Sequence, residues 1–301
     1  MICDRIRSGR GKAAEVERQM AYEDEVLQWR QQVETALRGE ESWLSLAGLF
    51  WLAPGENSIG SGRQSKILLP PDTAPETAGS IGFDGKRAVF RPVPGVDAPS
   101  SDEPAGDLAL QPDVSGSPTC VRLGDATFLI VVRAGRWGVR VWNRRHPART
   151  AFPGRRWFPI QEQWVRPARF VRFDPPRSIV TQNILGDSEA TMCPGRVEFD
   201  LDGAAASLLV TDADADGLFL IFADPTNGST TYPAGRFLAT APMAGEHVLL
   251  DFNRAYNPPC AFTPFATCAL PPAENHLAIP IQAGERYAAE WSTHEPPPAD
   301  A

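Results

Sequence analysis

Between Arg133 and Arg172 the chain carries eleven arginines and one acid, Glu162, interleaved with Trp137, Trp142, Phe152, Trp157, Phe158, Trp164 and Phe170. A guanidinium offers a planar fork of donors and stacks on aromatic faces, so the mixture suits an anion or a flat group. The block holds +10 in a chain of net charge −8, which leaves −18 for the remainder. Pairing with those acids is the ordinary use of surface charge, and a small anion is the next reading. An acidic chain repels a polyanion, so nucleic acid ranks below a small anionic or polar molecule as a partner. Arg140, Trp142, Arg149 and Trp157 are the ligand-binding candidates here.

A second concentration of polar groups runs from Phe222 to Phe237 and from Leu250 to Cys260. Tyr232, Arg236, Asn253 and Asn257 join the ligand-binding candidates. If buried, they must satisfy each other or a ligand, and a self-satisfied network that fixes strand register is the plainer outcome. Asp224 and Asp251 flank Arg236 in sequence, so a carboxylate partner is expected for it. Asp251, Tyr256 and His146 are the candidate acids or bases of a hydrolase or lyase. No phosphate loop, HExxH or GxSxG motif is present.

Cys260 and Cys268, with His276 nearby, are weak metal candidates, because their spacing is not that of a zinc loop. Two buried free thiols are the expectation. The run Asp212-Ala-Asp214-Ala-Asp216-Gly217 opens like a calcium loop, but its twelfth position is Ala223, where a bidentate Glu belongs. An acidic hairpin turn is expected instead. No cofactor and no metal site are implied.

These groups need elements to hold them. Ala14 to Arg38 reads as one amphipathic helix, with Tyr22, Val26, Trp29, Val33 and Leu37 at steps of three and four and Gly39 as its stop. Met20 opens the well-patterned part, so residues 1–19 are expected to be an extension ahead of the true start. Beyond Gly39, short β-rich runs are punctuated by many of the chain's 29 prolines and 25 glycines. The fold class is all-β, an antiparallel β-sandwich or barrel-like sheets with one N-terminal helix. Strands are expected at Gly138–Asn143, Arg169–Phe173, Ser178–Thr181 and His276–Ile281, among others. In the first of these, Val139 and Val141 face the core, and Arg140 and Trp142 form a guanidinium–indole surface. The expected organisation is an extension and helix over 1–39, one β-rich domain over 40–295 with a subdivision near 147–154, and a disordered tail over 296–301. Pro92 to Gly106 reads as a flexible loop.

A chain of 301 residues that is 43 % apolar and 22 % charged can bury a sizeable core. Its apolar runs are too short to cross a bilayer as a helix, and residues 1–19 lack the apolar segment of a secretory signal. The cytoplasm is therefore the expected compartment, without a membrane partner; oligomeric state is left open.

Trp43-Leu44-x-Leu46-x-Gly48-Leu49-x-Trp51-Leu52-x-x-Gly55-Glu-Asn57 and Arg149-x-x-Phe152-x-Gly154-x-x-Trp157-Phe158, together with the two polar stretches, resemble the uncharacterised prokaryotic family known as domain of unknown function 1684. The likeness runs from about Trp43 to Glu285. It implies relatives in bacteria and archaea and brings no activity, substrate or cofactor. The residues therefore point to a pocket for a small anionic or strongly polar ligand. The alternatives are the hydrolase or lyase above, and a protein–protein adaptor, which would need a large exposed apolar patch.

Overall fold

The computed structural model describes residues 3–96 and 106–288, with helix side chains described from Glu15 onward, Val16 aside. Helix α1 (Cys3–Leu37) starts well before the expected Ala14. Its apolar stripe is the one read from the sequence: Val26 and Leu37 are buried, and Tyr22, Trp29 and Val33 are half-buried. Among the described residues no helix is long and apolar enough to cross a membrane.

The chain divides into two compact units. One comprises residues 36–153 and 259–268 of those described. Its strands are β1 (Leu46–Trp51), β2 (Gly55–Gly60), β3 (Ile67–Leu68), β4 (Gly79–Phe83), β5 (Ala88–Pro92), β6 (Leu108–Leu110), β7 (Val121–Leu123), β8 (Ala126–Arg133) and β9 (Arg136–Asn143), followed by the short helix α2 (Ala148–Ala151). They form a sheet of order β1-β9-β8-β7 and another of order β3-β2-β4-β5-β6. Alternate residues from both sheets fill one core, with Phe90 set edge-on to Phe128. That is sandwich packing.

The other unit comprises α1 through Thr35 and residues 154–258 and 269–288. It contains β10 (Arg156–Trp157), β11 (Val165–Gln182), β12 (Ser188–Leu201), β13 (Ala204–Val210), β14 (Asp212–Asp214), β15 (Gly217–Phe222), β16 (Arg236–Ala239), β17 (His247–Asp251) and β18 (Glu285–Arg286). The sheet orders are β13-β12-β11-β17, β14-β15-β16 and the pair β10-β18. Phe170, Val197, Phe199, Leu220, Phe222, Leu250 and Phe252 meet in its core. No described sheet closes on itself, so the architecture is open sheets, antiparallel apart from the short parallel pair β2–β3, rather than a barrel.

Several local expectations change. The two strands read at Arg169–Phe173 and Ser178–Thr181 are one strand, β11, which absorbs Pro175 and Pro176 at a register shift between Arg172 and Arg177. His276–Ile281 is not a strand; only His276 makes a bridge, to Ala223, and Pro280 cannot donate to a ladder. The Arg140–Trp142 face is no surface. Arg140 is 7 % exposed and Trp142 8 %. The expected loop over Pro92 to Gly106 lies outside the described residues from 97 to 105, and so does the expected tail over 296–301.

Candidate functional site

In the unit holding α1, a cleft of about 800 Å³ is lined by α1 residues Arg18, Tyr22, Glu25 and Trp29, by Val165, Leu249 and Asp251 of the β11–β17 pair, and by Ala239 to Ala241 at the end of β16. Glu162 and Arg254 complete it. The volume is that of a small-molecule site.

One wall is a hydrogen-bonded relay. Tyr22 Oη donates to Asp251 Oδ1 at 2.8 Å and accepts from Asn253 Nδ2 at 2.8 Å. Asp251 Oδ1 also accepts from the Asn253 backbone N–H at 3.1 Å, which caps the single 3₁₀ turn Phe252–Arg254. Arg254 follows on that turn and donates from Nε to Asp251 Oδ2 at 3.1 Å. Asn253 is fully buried and closes the network onto both backbone groups of Gln161. Burial and the neighbouring Asp251 charge hold the Tyr22 hydroxyl well above its ordinary pKa, so it stays a neutral donor. Asp251 already accepts several hydrogen bonds, which suits a positioned carboxylate better than a free base.

Arg254 is differently placed. Its Nε is committed to Asp251, whereas its Nη2 reaches, among the described residues, only Glu25, at 3.8 Å, and Glu25 is 71 % exposed. The guanidinium lies 5.9 Å from the Trp29 ring centroid. Trp29 in turn stands edge-on to Trp157 at 5.6 Å and near Tyr256 at 6.4 Å. An anion can take the Nη side of Arg254 by displacing a weak, solvated partner, with an indole beside it.

Behind this wall lies a buried ion pair. Arg155 and Glu285 meet at 2.5 Å, and Glu285 also accepts from the Asn257 N–H at 2.8 Å. Burial outweighs the Arg155 charge and pushes the Glu285 carboxyl up to about 7. Burial also raises the Tyr256 hydroxyl.

The other sequence candidates are placed as follows. Arg236 is fully buried, paired with Asp224 at 2.7 Å, and donates to the carbonyls of Ala283 and Ile281. Asn257 donates to the Arg286 carbonyl, and its Oδ1 has no partner among the described residues. Tyr232 is buried with its ring edge-on to Tyr287 at 5.1 Å. Asp251, Asn253 and Trp157 therefore come together around Tyr22 and Trp29, with Tyr256 against Trp29.

Arg140, Trp142, His146, Arg149, Cys260 and Cys268 belong to the other unit. There Arg140 lies over Trp43, 5.4 Å from the ring centroid, and burial lowers its pKa to about 10. Arg149 donates to the backbone carbonyls of Arg38 and Arg144, while Arg38 donates to those of Arg149 and Phe152. His146 Nδ1 accepts from the Ala148 N–H at the start of α2. Cys260 donates its N–H to Cys268 Sγ at 3.2 Å, both are free thiols, and burial raises the Cys268 pKa. Among the described residues no group of three His, Cys, Asp or Glu could hold a metal ion. The Asp212–Asp216 run forms the β14–β15 hairpin, where Asp214 Oδ1 accepts from the N–H groups of Asp216 and Gly217.

Tyr22, Trp29 and Arg254 were not singled out from sequence as site residues. The available signal was a tyrosine and a tryptophan on the apolar stripe of α1, since both carry a polar atom that seeks a partner when buried.

The family described as "Protein of unknown function (DUF1684)" matches residues 150–286, a shorter span than the likeness read from Trp43 onward. No curated protein matches the chain. Among solved structures, the chain is similar to the solution NMR structure of an uncharacterized protein of Haloarcula marismortui. The two are 32 % identical over 46 % of this chain and 79 % of that one, with a TM-score of 0.39.

Proposed function

This chain belongs to the DUF1684 family of proteins of unknown function, and from that premise we propose that it binds a small anionic organic molecule, with a flat or apolar part, in the cleft between α1 and β17. One observation carries the reading: Arg254 lines the cleft beside Trp29 with its Nε fixed by Asp251 and its Nη2 3.8 Å from the exposed Glu25. Fixing one edge of the guanidinium removes rotamer entropy that binding would otherwise cost. Leu249, 58 % exposed, and Val165 offer apolar surface to the rest of the ligand. The saturated hydrogen bonding of Asp251 favours binding over acid–base chemistry.

Thermal melts with a panel of arylalkyl carboxylates, 3-phenylpropionate among them, and the matching alcohols test it. A carboxylate-dependent rise in melting temperature that Arg254→Ala abolishes is expected. No rise with any carboxylate, or an equal rise with the alcohols, overturns the proposal.

A further inference from the structure

The cleft is bordered by two sheet edges. β17 ends the β13-β12-β11-β17 sheet, and β16 ends the β14-β15-β16 sheet; among the described residues neither has a strand on its outer side, although His247 at the start of β17 exchanges both its outward backbone groups with Ala244 across a tight turn, which leaves Leu249 as the next outward position. The direction of the backbone groups follows from the ladders. Leu249 stands opposite Pro167, which has no N–H, and Phe170 donates to Glu246 three residues further along. In an antiparallel ladder, bonded and non-bonded pairs alternate, so the N–H and C=O of Leu249 point away from β11. On β16, Thr240 donates inward to Leu218, so the backbone groups of Ala239 point outward. Phe237, two residues earlier, uses its outward N–H and C=O on Tyr256. Ala239 and Leu249 are both exposed, and both line the cleft.

Proteins ordinarily cover or blunt such edges. Here an outward backbone position, an exposed Leu249 and an arginine whose Nη2 lies 3.8 Å from the exposed Glu25 share one cleft. We propose that the anionic ligand is the free C-terminus of an extended peptide, which adds as a strand to β17. Its carboxylate sits at Arg254, its backbone bonds to Leu249, and its last side chain lies against Leu249 and Trp29. Arg254 lies three residues beyond the C-terminal end of β17, so the peptide runs parallel to that strand. This inference rests on the anion-binding reading above and narrows it: a lone carboxylate has no use for the N–H and C=O of Leu249, whereas a peptide main chain does.

The probe is a pool of acetylated tetrapeptides with a free carboxylate, degenerate at the other positions, set against the same pool as C-terminal amides and against 3-phenylpropionate. The expected result is binding of the acid pool, weakened at least about tenfold by amidation, since a charge-assisted bond is lost. Leu249→Pro removes an outward N–H that has no partner among the described residues, and proline is tolerated on such an edge. It should weaken the acid pool well beyond Leu249→Ala, which keeps that N–H. Binding of 3-phenylpropionate but not of the peptide pool overturns this inference and leaves the anion site standing. Binding of neither overturns both. Equal binding of acid and amide pools, or equal affinity in the Pro and Ala variants, overturns the peptide mode.

Discussion

Arg236 Nη2 donates to Asp224 Oδ2 at 2.7 Å, and neither side chain exposes any surface. The other Asp224 oxygen accepts from the N–H groups of Thr226 and Ile281, and Arg236 also holds the Ile281 carbonyl. The pair thereby ties β16 to the turn after β15 and to the segment before β18. Removing one partner leaves a buried charge uncompensated, so Arg236→Ala should cost about 3–5 kcal/mol. Urea unfolding measures it. Unchanged stability would show that the pair does not hold the fold.

That pairing was legible in sequence, because Arg236 sits among large apolar residues with aspartates on either side. The stripe of α1 and the Asp214 hairpin were legible for the same reason: local periodicity and turn chemistry decide them. Arg140 was not. Strand alternation correctly set it opposite Val139 and Val141, but alternation says nothing of what covers the second face, and the Trp43 ring lies there. The cleft was half legible. Asp251 and Asn253 carry a signal in their own segment, whereas Tyr22 joins them from more than two hundred residues away. No local pattern encodes such a meeting.

Glu285 predicts a pH dependence. Its ordinary pKa is 4.5, and in the folded chain burial raises it to about 7. Between those values the folded state binds the proton more tightly than the unfolded state, so this group's contribution to stability is lost as pH rises from 4.5 to 7. Glu285→Gln stays neutral throughout. Relative to wild type, the variant should gain about 3 kcal/mol across that interval, at 1.36 kcal/mol per unit. Urea midpoints of both proteins at the two ends of the window check it, and a gain toward acid would refute it.

The β14–β15 hairpin should ignore calcium. Its turn uses Asp214 Oδ1 to accept two backbone N–H groups, and position twelve of the calcium pattern is Ala223. Melting curves with and without millimolar calcium should coincide. Asp214→Ala should cost about 1 kcal/mol through the lost turn bonds. A calcium-dependent rise in melting temperature would restore the metal reading.

Tyr22→Phe removes one hydroxyl that both donates to Asp251 and accepts from Asn253. Asp251 keeps Arg254 and the Asn253 N–H, and Asn253 keeps Gln161, so no partner is orphaned. The cost near neutral pH should be about 1–2 kcal/mol. The alkaline limb is more telling. An unfolded tyrosine ionises near 10.0, whereas burial and Asp251 hold the folded hydroxyl protonated above that. Wild type should therefore lose stability as pH climbs past 10, because only the unfolded state releases this proton. The phenylalanine variant lacks that loss, so the gap between the two proteins should narrow from about pH 8 to about pH 11. Urea unfolding at both values reads the gap. A gap that widens would mean that Tyr22 does not hold its proton against Asp251.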